Sequence, residues 1–136
     1  MRLVLVVEDQ PVIRERVKRW LESDGFNVRV ASEYDSALRE LETCEPILLC
    51  IDQTLPRESG LDLVETIRKR SKVPIIMMSE RHSPEDMAEA EQAGANAFLK
   101  KPFERELLLK YVHWMLEGPH AIRPTVRRLR RLSSTP

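Results

Sequence analysis

Five short apolar runs, each followed by a stretch with helical spacing, limit the folds that are open to this chain. These runs have the length of β-strands: RLVLVV (2–7), FNVRVA (26–31), ILLCI (47–51), VPIIMMS (73–79) and NAFL (96–99). Strands that alternate with helices need crossover connections, and these connections produce a parallel sheet covered by helices on both faces. The sequence therefore predicts an α/β domain with five parallel strands.

The helical stretches begin and end at recognisable capping residues. Gly25 follows the first stretch, where a glycine commonly ends a helix. The segment SEYD (32–35) has the pattern of a capping box, and Ser83 precedes a proline and two acids, as at many helix N-termini. Helices are predicted over 12–23, from 32 to about 43, over 61–70, from 83 to 94, and over 103–117.

The chain has 136 residues, the size of one domain, and its charge is unevenly distributed. All 22 acidic residues precede residue 119, whereas five of the 22 basic residues follow residue 118, so residues 1–118 carry a formal charge of about −5. We predict one domain over 1–118 and a basic, proline-containing tail or linker over 119–136. The tail has charge for phosphate contacts but no aromatic ring for base stacking, which favours a solvated linker, or the start of an effector domain, over a nucleic-acid arm. Nucleic acid is therefore not an expected partner unless such an effector follows or the arginines of the tail bind it.

The cysteine content and the apolar runs indicate the compartment. Cys44 and Cys50 are too few for a disulfide framework and lack the spacing of a metal-binding clip. Cys50 lies inside an apolar run, which predicts a buried, reduced thiol. No apolar stretch reaches the length of a membrane span, and the N-terminus lacks a signal-peptide pattern. These features predict a cytoplasmic protein with no membrane partner.

Polar and charged residues stand at the ends of four of the five apolar runs. These are Glu8 and Asp9 after the first run, Asp52 after the third, Ser79 at the end of the fourth and Lys101 after the fifth. The carboxyl ends of parallel strands share one edge of the sheet, where ligands bind. A single acid at a strand end is commonly a solvated loop residue or a helix cap. Because four strand ends agree, we predict one common site.

This set of side chains suits magnesium-dependent phosphoryl transfer. Mg²⁺ prefers oxygen ligands and keeps several waters, so Asp9 and Asp52 could bind it directly, with Glu8 acting through a water. Without a cation the carboxylates would repel one another, and one would tend to take up a proton. Lys101 and the metal would neutralise the oxygens of a phosphoryl donor, while a carboxylate nucleophile can form an aspartyl-phosphate.

Five ordered motifs resemble those of the receiver domains of bacterial two-component response regulators, of the chemotaxis-regulator type. The motifs are VVED (6–9), IDQTLPRESG (51–60), PIIMMS (74–79), AGA (93–95) and FLKKPF (98–103). The similarity extends from about residue 3 to residue 116. It implies a flavodoxin-like, doubly wound (βα)5 sandwich whose parallel strands have the order 2-1-3-4-5.

The resemblance also implies which residues bind the phosphoryl group and the metal. Asp52 matches the aspartate that is phosphorylated in the family. Glu8 and Asp9 match the acidic pair that binds Mg²⁺ together with that aspartate. The backbone carbonyl of Thr54 matches the remaining protein ligand.

A second group of residues matches the part of the family that transmits the signal. Ser79 matches the switch hydroxyl, Phe98 the aromatic switch and Lys101 the lysine that pairs with the phosphoryl group. The peptide bond between this lysine and the following proline, here Pro102, is usually cis in the family. Phe98 would also suit a plain core position, so its residue type alone does not require a switch.

The resemblance implies two kinds of partner. A sensor histidine kinase or a phosphotransfer protein would donate the phosphoryl group. A downstream protein or a second copy of the chain would bind the face formed by the fourth helix, the fifth strand and the fifth helix. The last helix (ELLLKYVHWMLEG) carries more apolar residues than one sheet-packing stripe needs, which is consistent with such a face and equally with residues at the rim of the core.

Glu80 departs from the family pattern, because a small residue usually follows the switch hydroxyl. A carboxylate at this position could crowd the pocket, repel the anion or change the lifetime of the phosphorylated state. In the simpler interpretation Glu80 points into solvent and pairs with Arg81. An alternative function follows from the first interpretation: a receiver-fold interaction module that works without phosphorylation because Glu80 perturbs the pocket.

An ordinary enzyme is not favoured. No glycine-rich phosphate loop follows the first apolar run, and Glu8 and Asp9 would repel a nucleotide phosphate there. The three histidines, His82, His113 and His120, form no local catalytic or metal-binding motif. We therefore predict a signalling domain rather than an enzyme.

Overall fold

The computed structural model describes residues 2–117, in which five strands alternate with five helices. The elements are β1 (Leu3–Val7), α1 (Pro11–Ser23), β2 (Asn27–Ala31), α2 (Tyr34–Thr43), β3 (Leu48–Asp52), α3 (Gly60–Arg68), β4 (Ile75–Ser79), α4 (Pro84–Ala93), β5 (Ala97–Lys100) and α5 (Arg105–Leu116). All ten predicted elements are present. The basic tail predicted over 119–136 lies outside the described residues.

The five strands form one parallel sheet in the order β2-β1-β3-β4-β5, as the resemblance implied. Val6 pairs with Val30 of β2 on one side and with Cys50 of β3 on the other, and Asp52 pairs with Met78 of β4. The strand order reverses between β1 and β3. In doubly wound sheets such a reversal opens a crevice outside the carboxyl ends of the strands, where ligands bind.

The burial of the strands follows their position in the sheet. Every residue of β3 and of β4 is buried, as expected for central strands covered by helices on both faces. The edge strand β2 instead alternates between exposed and more buried residues, with Arg29 exposed and Ala31 buried. On one face α1 contacts α5; on the other, Tyr34 of α2 hydrogen-bonds Thr66 of α3, and α3 contacts α4.

Most predicted capping residues act as expected, with one exception. Ser83 caps α4: its Oγ accepts the N–H of Asp86 at 3.1 Å. The capping box predicted at 32–35 is wrong by one residue, because α2 has Glu33 as its N-cap and Ser36 as the residue that returns the bond. Ser36 Oγ accepts the N–H groups of both Ser32 and Glu33, so Ser32 stays in the turn before the helix. The last helix begins at Arg105, two residues later than predicted.

Both cysteines are free, and Cys50 is buried as predicted. Burial raises the pKa of the Cys50 thiol to about 12. Within residues 2–117, no helix is both long enough and apolar enough to cross a bilayer. The cytoplasmic location remains a prediction.

Candidate functional site

Four strands deliver the predicted residues to one edge of the sheet. Asp52 and Ser79 are the last residues of β3 and β4, and Glu8 and Lys101 directly follow β1 and β5. The backbone pairing continues to this edge, because Lys101 N–H donates to the Ser79 carbonyl at 2.8 Å. Strand register therefore brings together side chains that are far apart in the sequence.

Three carboxylates form the centre of the site. Glu8, Asp9 and Asp52 each place a carboxylate oxygen within 4.8 Å of the others. Glu8 has no exposed surface and Asp52 is 4 % exposed, whereas Asp9 is half-buried. Water therefore screens the two buried groups poorly, and their mutual repulsion needs a positive charge nearby.

Lys101 supplies that positive charge. Its Nζ lies 2.6 Å from Glu8 Oε1 and 3.2 Å from Asp52 Oδ2, and the side chain is almost fully buried. A buried ammonium group is costly to dehydrate unless it makes close ion pairs, and Lys101 makes two. The lysine therefore bridges the carboxylates of β1 and β3 in the unmodified domain.

The protonation of this cluster reflects both burial and pairing. Burial raises the pKa of the Glu8 carboxyl to about 7; the neighbouring Asp52 adds to the rise, and Lys101 opposes it. Burial lowers the pKa of Lys101, but its bonds to Glu8 and Asp52 outweigh that effect and leave the pKa above its usual value. The Glu8 carboxyl can therefore hold a proton near neutral pH in the metal-free site.

The loop after β3 holds Asp52 from the other side. Thr54 N–H donates to Asp52 Oδ1 at 3.2 Å, so the two carboxylate oxygens have different partners. Gly60 N–H donates to the Gln53 carbonyl at 2.8 Å, and any side chain at Gly60 would overlap the Asp52 carbonyl oxygen. The glycine therefore permits a loop close enough to the strand for Thr54 to reach the site.

Ser79 and Phe98 are both buried next to this edge. Ser79 is 1 % exposed, and its Oγ accepts the N–H of Arg81 at 2.9 Å. Because this bond uses the oxygen as acceptor, the hydroxyl proton remains able to donate. Phe98 has no exposed surface and pairs with Met77 across the β4–β5 ladder.

Glu80 is exposed, but its expected partner is not beside it. No ion pair within 4.0 Å joins Glu80 to Arg81, so that pairing is wrong. Glu80 instead lines a groove of about 400 Å³ between α1 and the loop after β5, which Trp20, Lys101 and Phe103 also line. Glu80 therefore lines the same groove as Lys101 and is not a member of the carboxylate cluster.

The donor atoms of the cluster fit magnesium. All three side chains offer carboxylate oxygens, the hard ligands that Mg²⁺ prefers, and the cluster includes no histidine or cysteine. The half-buried Asp9 leaves one side open for the waters that Mg²⁺ retains. Thr54 stands beside Asp52, where its carbonyl is a candidate fourth ligand.

Two residues near the site were not predicted from the sequence. Arg14 Nη1 donates to the backbone carbonyls of Glu8 at 3.0 Å and Asp9 at 3.4 Å. Gln53 is 6 % exposed, and its amide oxygen is buried without a hydrogen-bond partner. A basic residue about one helical turn after an acidic pair is a sequence signal for Arg14. No sequence pattern indicates Gln53.

The histidines lie apart from this chemistry. His82 is exposed in the loop after β4, and His113 Nε2 lies 2.6 Å from Asp24 Oδ2 at the end of α1. His120 is outside the described residues. Neither described histidine is part of the carboxylate cluster.

Comparison with known proteins agrees with this fold. Residues 4–113 match the family model of the response regulator receiver domain. The chemotaxis response regulator CheY4 of Vibrio cholerae superimposes with a TM-score of 0.81 at 32 % identity, covering 85 % of this chain and 99 % of that one. The receiver domain of NtrX from Brucella abortus gives a TM-score of 0.80 at 33 % identity, covering 85 % and 98 %.

Curated relatives extend beyond the matched region. The phosphate regulon transcriptional regulatory protein PhoB of Escherichia coli is 35 % identical over 79 % of this chain and 48 % of its own length. The KDP operon transcriptional regulatory protein KdpE of the same organism is 38 % identical over 76 % and 46 %. This chain spans about half the length of these relatives.

The chain belongs to the response regulator receiver family of two-component systems. Receiver domains are signalling modules rather than enzymes of the ordinary kind. The predicted fold class and family are therefore confirmed, while the role of each site residue remains a prediction.

We expect the raised pKa of Glu8 to make the stability of the metal-free domain depend on pH. Between about pH 4.5 and about 7 the folded state keeps a proton that the unfolded chain has lost. In EDTA, the free energy of unfolding of the wild type should therefore fall relative to that of Glu8→Gln as the pH rises through this range. Below and above this range, the difference in free energy between the two proteins should be constant. Urea denaturation of both proteins at a series of pH values measures it.

Glu89→Gln provides the control, because Glu89 is an exposed glutamate of α4 outside the cluster. Its stability profile should run parallel to that of the wild type. A Glu8→Gln profile that is also parallel to the wild type would contradict the assignment of the raised pKa.

Proposed function

We propose that this receiver domain accepts a phosphoryl group on Asp52 from a sensor histidine kinase or a phosphotransfer protein and then binds a downstream partner. The observation that carries the proposal is the buried Asp52 carboxylate, whose Oδ2 lies 3.2 Å from Lys101 Nζ. Glu8 and Asp9 complete the acidic cluster beside it. A nucleophile, a positive charge and metal ligands thus meet at one edge of the sheet.

The transfer step follows from these contacts. A carboxylate oxygen of Asp52 attacks phosphorus, and an O–P bond forms as the P–N bond of the donor phosphohistidine breaks. The electron pair of that bond returns to the donor imidazole. Lys101 Nζ lies within reach of the oxygens that gain charge, and Thr54 N–H holds the second Asp52 oxygen in place.

Magnesium bound by Glu8, Asp9, Asp52 and the Thr54 carbonyl would neutralise the negative charge of the incoming phosphoryl group. Within this ligand set, the buried Glu8 is held by Lys101, and its Oε2 also accepts the N–H of Gln10 at 3.2 Å. These fixed contacts favour a role through a bound water for Glu8, with Asp9 and Asp52 as the direct ligands.

Ser79 and Phe98 are the residues we propose to carry the signal away. The Ser79 hydroxyl can donate to a phosphoryl oxygen on Asp52, since its present bond to Arg81 uses only the oxygen as acceptor. Phe98 lies on β5, adjacent to the strand that ends at Ser79. A phosphoryl group would bias the packing of the two side chains by contacts available only in the phosphorylated state.

The face formed by α4, β5 and α5 is the proposed output surface. On α5 the inner residues Leu108 and Val112 are fully buried. Four further apolar residues are only half-buried: Leu107, Trp114, Met115 and Leu116. Such a surface suits a downstream protein or a second copy of the chain. The relatives PhoB and KdpE are named as transcriptional regulators. Regulation of transcription is therefore one output that we propose for this protein.

The exposed Glu80 supports a second candidate function, an interaction module that needs no phosphorylation. Glu80 lines the same groove as Lys101, so an anionic donor that reached Lys101 through this groove would meet like charge. This repulsion acts near solvent, where it is weak and screened. We therefore propose that Glu80 slows phosphorylation without preventing it.

Replacing Asp52 tests the phosphoryl acceptor. Incubation with acetyl phosphate and Mg²⁺ should add one phosphoryl group to the wild type, detected by intact mass. Asp52→Asn should show no addition, because the amide keeps the shape but is not a nucleophile. EDTA should abolish the wild-type reaction.

Asp35→Asn serves as the matched control, since Asp35 is an exposed aspartate at the start of α2. It should be phosphorylated like the wild type. Equal labelling of Asp52→Asn and wild type would exclude Asp52 as the acceptor. Absence of labelling in the wild type with both small donors and kinases would favour the interaction module.

Replacing Glu80 distinguishes charge from bulk. We expect Glu80→Gln and Glu80→Ala to be phosphorylated about fivefold faster than the wild type at low salt, the factor given by ~1 kcal/mol of like-charge repulsion near solvent. The difference should shrink as ionic strength rises. Initial rates of phosphorylation by acetyl phosphate at two salt concentrations provide the measurement.

Glu85→Gln removes an exposed charge from the first turn of α4 and should leave the rate within twofold of the wild type. If Glu80→Gln matches this control while Glu80→Ala is faster, bulk rather than charge limits access. If neither Glu80 variant differs from the wild type, Glu80 has no effect on phosphorylation.

A further inference from the structure

Arg14 connects the first turns of α1 to the backbone of the acidic pair. It is half-buried, and its Nη1 donates to the Glu8 carbonyl at 3.0 Å and to the Asp9 carbonyl at 3.4 Å. One guanidinium nitrogen thus bonds both residues that supply carboxylates from the β1–α1 connection. The sequence resemblance assigns no role to this arginine.

The connection that Arg14 contacts has few other anchors. The β1 ladder ends with Glu8 N–H donating to the Ala31 carbonyl at 3.0 Å, and the first helical bond joins Arg14 N–H to the Gln10 carbonyl at 2.9 Å. The N-cap residue Gln10 makes no side-chain capping bond, and Pro11 has no N–H to donate. Between the ladder and the helix, Arg14 is therefore a main support of the chain.

Asp9 depends on this support more than Glu8 does. The Glu8 carboxylate is fixed by Lys101 and by Gln10 N–H. In the described part of the chain, no hydrogen bond or ion pair fixes the carboxylate of Asp9. The hydrogen bond that holds Asp9 is instead made by its backbone carbonyl, which accepts from Arg14 Nη1 at 3.4 Å.

We propose that Arg14 is a positioning residue for the cation: by bonding the carbonyls of Glu8 and Asp9, it holds the Asp9 carboxylate in place to bind Mg²⁺. The inference rests on the proposed function, because it takes the acidic cluster to be the magnesium site. Groups that orient metal ligands without touching the metal commonly contribute tenfold or more to affinity.

The charge of Arg14 acts in the opposite direction, and this opposition makes the proposal testable. A guanidinium close to the cluster repels a cation, so removal of the charge alone would tighten Mg²⁺ binding. Arg14 is partly exposed, and solvent weakens that repulsion. The hydrogen bonds to the carbonyls are short-range and not screened in this way, so we infer that their loss dominates.

The experiment uses the full chain and Mg²⁺ alone, titrated by isothermal calorimetry. Arg14→Met, which removes both donors and the charge, should raise the Kd for Mg²⁺ about tenfold. Arg14→Gln, which keeps an uncharged donor, should raise it less. Arg19→Met removes one exposed charge from the same helix and should stay within twofold of the wild type.

A second readout separates positioning from a general loss of structure. For Arg14→Met, the Mg²⁺ concentration that gives half the maximal rate of Asp52 phosphorylation should rise about tenfold. The maximal rate at saturating Mg²⁺ should remain that of the wild type. The free energy of unfolding in EDTA, measured for each variant, identifies any change in affinity that follows from destabilisation.

Equal or tighter Mg²⁺ binding by Arg14→Met would overturn the inference. A lower maximal rate with unchanged Mg²⁺ affinity would also overturn it, because Arg14 would then affect the transfer step and not metal binding. If the wild type itself does not bind Mg²⁺, the metal site of the proposed function fails together with the inference. If the wild type binds Mg²⁺ and the Arg14 variants bind it with the same Kd, the inference fails but the proposed metal site stands.

Discussion

The bridge that Lys101 makes between Glu8 and Asp52 is the interaction on which the rest of the site depends. The ends of β1 and β3 bring three carboxylates to one edge of the sheet, and the end of β5 brings Lys101. Two of the carboxylates, those of Glu8 and Asp52, are buried where water screens them poorly. A single ammonium group, 2.6 Å from Glu8 and 3.2 Å from Asp52, offsets their repulsion before any metal is present. The bridge also distinguishes the three carboxylates of the cluster. Glu8 and Asp52 are paired with Lys101, whereas no partner within residues 2–117 bonds the Asp9 carboxylate. The unmodified domain thus holds a positive charge where a phosphoryl group would later need one.

The elements of the fold could be predicted from local and regular sequence patterns, whereas the strand order was predicted from the family resemblance. Apolar runs of strand length defined all five strands, and the alternation with helices required a parallel sheet. Errors occurred where one residue decides between two similar geometries. At α2, Ser32 and Ser36 both suit a capping role, and the hydrogen bonds favour Ser36 with Glu33 as the cap.

The membership of the site was predictable, but its internal contacts were not. Strand ends share an edge, so Glu8, Asp52, Ser79 and Lys101 could be grouped without coordinates. The lysine was expected to pair with a phosphoryl group, whereas in the unmodified domain it pairs with Glu8, 93 positions away in the chain. Such a contact depends on the register of the strands, which determines where each strand ends along the edge of the sheet. The separation of Glu80 from Arg81 likewise depends on side-chain directions that no sequence pattern specifies, whereas the position of Arg14 after the acidic pair is a signal that the sequence does contain.

A crystal structure of the chain with Mg²⁺ and beryllofluoride, a mimic of the phosphoryl group, tests the account most directly. We predict the mimic on the Asp52 carboxylate, with Ser79 Oγ and Lys101 Nζ as its partners. The metal should be bound by Asp9, Asp52 and the Thr54 carbonyl, and Lys101 should have exchanged part of its bridge to Glu8 for the mimic. Beryllofluoride bound at another residue, or an unmodified Asp52 beside a bound Mg²⁺, would contradict the claim that four strand ends build one phosphoryl-accepting site.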